Sequence, residues 1–61
     1  MKLIDLLKVI YHYNEIEVYN DNNEYLGWYI PSTVAKEFLD KEVIEITTND
    51  KCQLEILIKK N

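Results

Sequence analysis

Apolar and polar residues alternate with a period of two from Glu15 to Ile30, in the stretch EIEVYNDNNEYLGWYI. Ile16 and Val18 alternate with Glu15, Glu17 and Tyr19. After a polar turn, Leu26, Trp28 and Ile30 alternate with Tyr25, Gly27 and Tyr29. Such alternation around an Asp/Asn cluster predicts a β-hairpin. Opposed residues must share a face, because a slip of one residue inverts every side chain. A two-residue loop at Asn22-Asn23 would set Val18 against Gly27 and Glu17 against Trp28, mixing the faces. A three-residue loop, Asp21-Asn22-Asn23, sets Ile16 against Trp28, Val18 against Leu26 and Tyr19 against Tyr25. It ends on an Asn, which tolerates the positive φ that this loop length requires. The three-residue loop is the expected one.

Before the hairpin, Leu3, Leu6, Leu7 and Ile10 recur at i, i+3, i+4 and i+7, with Ile4 and Tyr11 widening the stripe. This predicts a helix over Leu3–Tyr13. Asp5 suits its N-terminal end and Asn14 its stop. Pro31 closes the second strand. Ser32 or Thr33 then supplies an N-cap for a short helix over Thr33–Asp40, whose pairs Val34/Phe38 and Ala35/Leu39 form a narrow apolar face. A helix this short must dock on the sheet.

A second hairpin is predicted from Val43–Thr48, a turn at Asn49-Asp50-Lys51, and Cys52–Lys59. Ile44 and Ile46, then Cys52, Leu54, Ile56 and Ile58, read as its buried face. A three-residue loop there opposes Glu45 to Glu55, which is unfavourable. A longer or bulged loop would place them on a diagonal, and the pattern leaves both registers open. Lys59, Lys60 and Asn61 read as a frayed tail. The predicted order, αββαββ, defines an α+β fold. It is a mostly antiparallel four-stranded sheet with helices packed on it, in one domain spanning residues 1–61. Even-numbered strand residues are expected to face the first helix. Whether both helices share a sheet face is open.

The chain is near the lower size limit for independent folding, where one core supplies about 3–5 kcal/mol of net stability. One cysteine excludes an internal disulfide. Seven lysines, no arginine and eleven acidic residues give a net charge of −4. Phosphate-backbone binding draws on clustered Lys and Arg, so direct nucleic-acid binding is not expected. No stretch approaches the ~20 apolar residues of a membrane span, and Asp5 and Lys8 interrupt the N-terminal apolar run. The single cysteine and the lack of an export signal point to the cytoplasm. The abundance of Lys, Asn, Ile, Glu and Tyr matches AT-rich coding sequence, as in a low-GC bacterium or its mobile elements.

The sequence presents no catalytic, cofactor or metal constellation. His12 and Cys52 stand alone, without metal-ligand spacing. A His12/Cys52 dyad is the only nucleophile–base pair on offer, and the strand pattern turns Cys52 to the core. Ser32 reads as a cap, and the single glycine, Gly27, sits in a strand, where it marks a bulge or a close contact. Glu15, Glu17, Glu42 and Glu45 read as solvated strand carboxylates. The aromatics are the more informative feature. The register puts Trp28 in the core and Tyr19, Tyr25 and Tyr29 on the opposite face, joined by Val43 and Leu57. Tyrosine is enriched at protein interfaces. The candidate interaction surface is therefore Tyr19, Tyr25 and Tyr29 with Glu15 and Glu17. The alternative is that the second helix covers this face.

YIPSTVAKEFLDKEVIEI, with the step Leu39-Asp40-Lys41-Glu42-Val43 into a strand, resembles small proteins of phages and prophages of low-GC bacteria. These begin with a short helix and a hairpin with a polar turn. The resemblance covers most of the chain and carries no site motif. It implies accessory phage functions, including inhibition of host defence systems such as CRISPR nucleases. The leading expectation is a non-catalytic protein that binds a host protein through a basic surface on that partner. The alternative is a self-associating module, a homodimer formed through the tyrosine face or a strand edge.

Overall fold

The computed structural model describes residues 1–60. Its regular elements are a helix α1 (Leu3–Leu7) and strands β1 (Ile16–Asn20), β2 (Tyr25–Tyr29), β3 (Val43–Thr48) and β4 (Leu54–Ile58), with 3-10 turns at Pro31–Thr33 and Lys36–Phe38. The four strands form one sheet in the order β2-β1-β4-β3. The fold is α+β, and both predicted hairpins form. The sheet is mixed, however, because β1 and β4 pair in parallel at its centre. Each hairpin contributes one central and one edge strand. Residues 30–42 carry the chain from the β2 edge across one face to the β3 edge.

That crossing decides where the core lies. Ile16, Val18, Ile56 and Ile58 from the central strands are buried together with Leu3 and Leu6 of α1 and Val34 of the crossing. Leu7, Ile10, Leu26, Tyr29, Phe38, Leu39, Val43 and Leu54 pack against this cluster. Helix and crossing therefore share one sheet face. The expected even-numbered inward alternation holds in β1 and β4.

The first helix is shorter than the apolar periodicity predicts, and the second does not form. The N-terminal end of α1 is pinned by main-chain bonds from Leu3 N–H to Lys41 O and Ile4 N–H to Leu39 O, both 2.9 Å. Beyond Leu7 only Ile10 reaches the core, while Val9, Tyr11 and Tyr13 are exposed. A helix without a docked face is not self-supporting, so it ends there and not at Tyr13. The expected helix over Thr33–Asp40 is replaced by the two 3-10 turns. Between them Val34 and Ala35 are extended, with ψ of 134° and 136°. Eight helical residues advance about 12 Å, whereas the edge strands lie roughly 14 Å apart. The extended pair lengthens the reach and drops Val34 into the core. Neither Ser32 nor Thr33 acts as the expected N-cap, because the turns start after Ile30 and Ala35. Thr33 instead ends the first turn, where its Oγ1 accepts from Ile30 N–H (3.1 Å) and donates to Ile30 O (2.9 Å).

The first hairpin has the expected three-residue loop. Asn20 N–H donates to Glu24 O, Asn23 has φ 61°, and Tyr19 opposes Tyr25. The register then shifts by one residue. Leu26 and Gly27 form a bulge, and beyond it Val18 opposes Gly27, Glu17 opposes Trp28 and Ile16 opposes Tyr29. These are the pairs that a two-residue loop would have produced. The bulge thus corrects two expectations together. Trp28, expected in the core, is 52% exposed on the opposite face. Tyr29, expected on that face, turns to the core side and meets the Phe38 ring edge-on at 6.4 Å. Gly27 takes φ 147°, and a Cβ there would lie 2.6–2.8 Å from the Tyr29 ring and hydroxyl. That hydroxyl donates to Leu26 O (3.2 Å), so the ring is held across the glycine.

The second hairpin repeats the loop of the first. In each, an asparagine side chain before the loop accepts two main-chain N–H groups. Asn20 Oδ1 takes those of Asn22 and Glu24 (2.9 and 3.1 Å), and Asn49 Oδ1 those of Lys51 and Gln53 (2.9 and 3.1 Å). The third loop residue has positive φ in both, Asn23 and Cys52. Cys52 is therefore an exposed loop residue, not the first core position of a strand. The loop lies one residue later than Asn49-Asp50-Lys51, and a bulge at Ile44 follows. Glu45 opposes Leu57 and Thr47 opposes Glu55, so the two glutamates sit diagonally. Ile44 and Ile46, expected to be buried, are 49% and 41% exposed, because the covering layer does not extend over the β3 edge. Lys60 is tied to the first loop through its N–H to Asp21 Oδ1 (3.1 Å), and Asn61 lies outside the described residues.

Three measurements test these contacts. Gly27→Ala should destabilise the chain by about 1–3 kcal/mol in denaturant titration, through positive-φ strain and the displaced Tyr29 ring. Asn20→Ala should cost about 2 kcal/mol, since Asn20 is buried and two main-chain N–H groups lose their acceptor. The Met1 ammonium donates to the Glu42 carboxylate, and that bond and charge, aided by Lys2 and Lys59, hold Glu42 below the usual carboxylate range. A depressed folded-state value stabilises above the unfolded value of about 4.3. That contribution is lost as pH falls through the folded-state value. Acid titration of Glu42→Gln should therefore show a shallower loss of stability below about pH 4 than the wild type.

Candidate protein-interaction face

Among the described residues no layer covers the face of the sheet opposite the core, and the strand registers define its layout. One row across the strands is Trp28, Glu17, Glu55 and Thr47; the next is Tyr25, Tyr19, Leu57 and Glu45. Three of the eight side chains are carboxylates and none is basic. Trp28 and Tyr25 stand on the edge strand β2, each more than half exposed. Tyr19, on central β1, meets Tyr25 edge-to-face at 5.4 Å. A shallow hollow of about 230 Å³ lies beside this pair, lined by Tyr19, Asn23, Glu45, Thr47, Glu55, Ile56 and Leu57.

Glu17 and Glu55 are direct neighbours on the parallel strands, a like-charge arrangement that costs stability. Their nearest polar contacts are hydrogen-bond donors and not cations. Asn49 Nδ2 spreads over Gln53 Oε1 at 3.0 Å, Glu17 Oε1 at 3.4 Å and Glu55 Oε2 at 3.5 Å. Thr47 Oγ1 lies 3.4 Å from Glu55 Oε1. Partial burial pushes the Tyr19 phenol above the usual tyrosine range, and Glu17, Glu55 and Tyr25 push it further. The face is thus aromatic at one edge and negatively charged across its middle.

Of the residues expected from the sequence, Tyr19, Tyr25 and Glu17 meet on this face. Glu15 precedes β1 at its margin, where its Oε1 accepts from Gln53 Nε2 (2.8 Å). Tyr29 does not belong to it and Trp28 takes its place, a swap made by the bulge and signalled in the sequence only by Gly27. Val43 opposes Ile58 and packs on the core side, so it too leaves the patch. Leu57 stays. The crossing segment lies on the other side, so the alternative that it covers this face is overturned. Glu45 and Glu55 lie on this face, as the odd-numbered alternation implied, although the candidate surface did not include them; Asn49 joins it from the second loop.

Elsewhere, His12 packs beside the rings of Tyr11 and Tyr13, at 4.9 and 4.2 Å, and the two tyrosines meet edge-on at 5.7 Å. It borders a shallow apolar groove with Ile4, Leu7, Pro31 and Leu39. Among the described residues no group of three or more His, Cys, Asp and Glu is placed to hold a metal ion. No described helix is long and apolar enough to cross a membrane.

Fold and face together define a small α+β sheet protein with one layered and one bare sheet surface. The chain matches no protein-family model, no curated protein and no solved structure.

Burial and negative neighbours should make Tyr19 ionise above the usual tyrosine range in an absorbance titration, and Glu17→Gln should bring it back toward that range. Because the folded state holds the proton more tightly, stability should fall as pH rises above about 10, the unfolded-state value.

Proposed function

We propose that this chain is a non-catalytic binding protein, a phage or prophage accessory factor that engages a host protein through the bare sheet face. The observation that carries this reading is the pairing of exposed Trp28 and Tyr25 with three uncompensated carboxylates on one surface. Trp and Tyr bury much area at low entropic cost and dominate binding energy at interfaces. Monomeric soluble proteins leave few such patches without a use. Glu17, Glu45 and Glu55 favour a partner with Lys or Arg at the contact, through charge complementarity. Proteins that handle nucleic acid display such basic surfaces. Together with the phage-protein resemblance, this points to a host defence enzyme as the target, acted on by occlusion. The chain would work in the host cytoplasm.

The test compares immobilised wild-type chain with Trp28→Ala and Tyr25→Ala variants in capture from a low-GC bacterial lysate. Both side chains are exposed, so the variants should keep the wild-type circular dichroism spectrum. The wild type should retain a partner in stoichiometric amount. Each variant should bind that partner roughly 30-fold more weakly, a loss of about 2 kcal/mol. Equal capture by wild type and variants would remove the face from the proposal.

A further inference from the structure

The β3 edge is a second feature of the sheet, independent of the bare face and of any host partner bound there. A free strand edge offers unpaired main-chain groups to another strand, and proteins usually blunt it with Lys, Pro, bulges or covering segments. The β2 edge is bent by the Leu26–Gly27 bulge. The start of β3 is covered by residues 1 and 2: Val43 N–H donates to Met1 O (2.8 Å), and Lys2 bridges to Glu42. From Ile44 to Thr48 the edge is uncovered; its bulge, at Ile44, lies at the near end of this window, and the sequence IEITT holds no Lys, Pro or Gly.

The main-chain directions along this window are fixed by its ends. Asn49 N–H donates to Gln53 O, so Asn49 faces β4. In an antiparallel ladder the hydrogen-bonded pairs alternate. With Thr47 opposite Glu55 and Glu45 opposite Leu57, residues 47 and 45 also face β4, and Ile46 and Thr48 turn their N–H and C=O outward. The window is five residues long and centred on Ile46.

We propose that the β3 edge is a self-association site, where two copies pair antiparallel about a two-fold axis through Ile46. This register alone uses the whole uncovered window without meeting the Met1–Lys2 segment of either copy. It sets Ile46 against Ile46 of the second copy and Glu45 against its Thr47, with the bulged Ile44 at the margin beside its Thr48. No like charges are opposed, whereas an axis through Glu45 would set the two glutamates face to face. Ile44 and Ile46, left half-exposed in one copy, gain apolar neighbours. A two-fold axis perpendicular to the sheet keeps both bare faces on the same side. The product is one eight-stranded sheet that doubles the aromatic and acidic surface.

The purified full chain is followed by sedimentation equilibrium from low micromolar to about 1 mM, a range suited to a small interface. The mass should rise from monomer to dimer, and amide exchange at Ile46 should slow as concentration rises. Ile46→Lys sets two cations across the axis, and Thr48→Pro removes an outward N–H without touching the β4 ladder. Each should weaken dimerisation at least tenfold while the circular dichroism spectrum is unchanged, and Trp28→Ala should leave it as in the wild type. A wild-type chain that stays monomeric throughout overturns the proposal. So does a dimer that survives both edge variants, or one that is lost in Trp28→Ala, which would place the contact on the bare face.

Discussion

The parallel contact between β1 and β4 is the constraint on which the rest of the structure depends. These strands hold Ile16, Val18, Ile56 and Ile58, which are almost completely buried. Parallel strands need a long crossover, unlike the tight turns of the two hairpins. With β1 and β4 side by side at the centre, β2 and β3 are forced to opposite edges. The connection between them must then cross a sheet face, and residues 30–42 do so. Because α1 lies on the same side, both covering segments among the described residues lie there. The bare face is the direct consequence: no described segment is left to lie across it.

Two bulges then decide what each face and edge displays. At Leu26–Gly27 the extra residue turns Tyr29 inward over the glycine and Trp28 outward beside Glu17. Tyr29 gains Phe38 and the Leu26 carbonyl as partners, while Trp28 joins Tyr25 at the sheet edge. At Ile44 the second bulge separates Glu45 from Glu55 by a diagonal. The repulsion between carboxylates is thereby moved, not removed, because the parallel pairing brings Glu17 alongside Glu55 instead. Asn49, already committed to closing its own loop, lends its remaining donors to both carboxylates. The same asparagine-led loop closes each hairpin, so turn geometry and surface electrostatics are coupled at one residue.

Local pattern made much of the fold legible. The strand alternation located both hairpins, and Asn23 at the third loop position gave the first loop its length. Asn20-Asp21 and Asn49-Asp50 recur at equal distances from their following strands, so the second loop is marked by the same dipeptide as the first. The helices were less legible. Leu3, Leu6 and Leu7 carry a true apolar stripe, but its continuation to Ile10 and Tyr11 reflects one further core contact and exposed aromatics. The Val34/Phe38 spacing likewise belongs to an extended step between two tight turns. Periodicity reports which residues seek burial, not the backbone that delivers them.

The sequence by itself determined the α+β class, the hairpins, the inward residues of the central strands and the shortage of basic groups, because each follows from local alternation or composition. Tertiary structure alone decided which strands meet, which face stays bare, and whether Trp28 or Tyr29 lies outward. A bulge changes register only relative to a partner strand. The parallel pairing, in turn, joins residues nearly forty positions apart, so no local spacing along the chain encodes it.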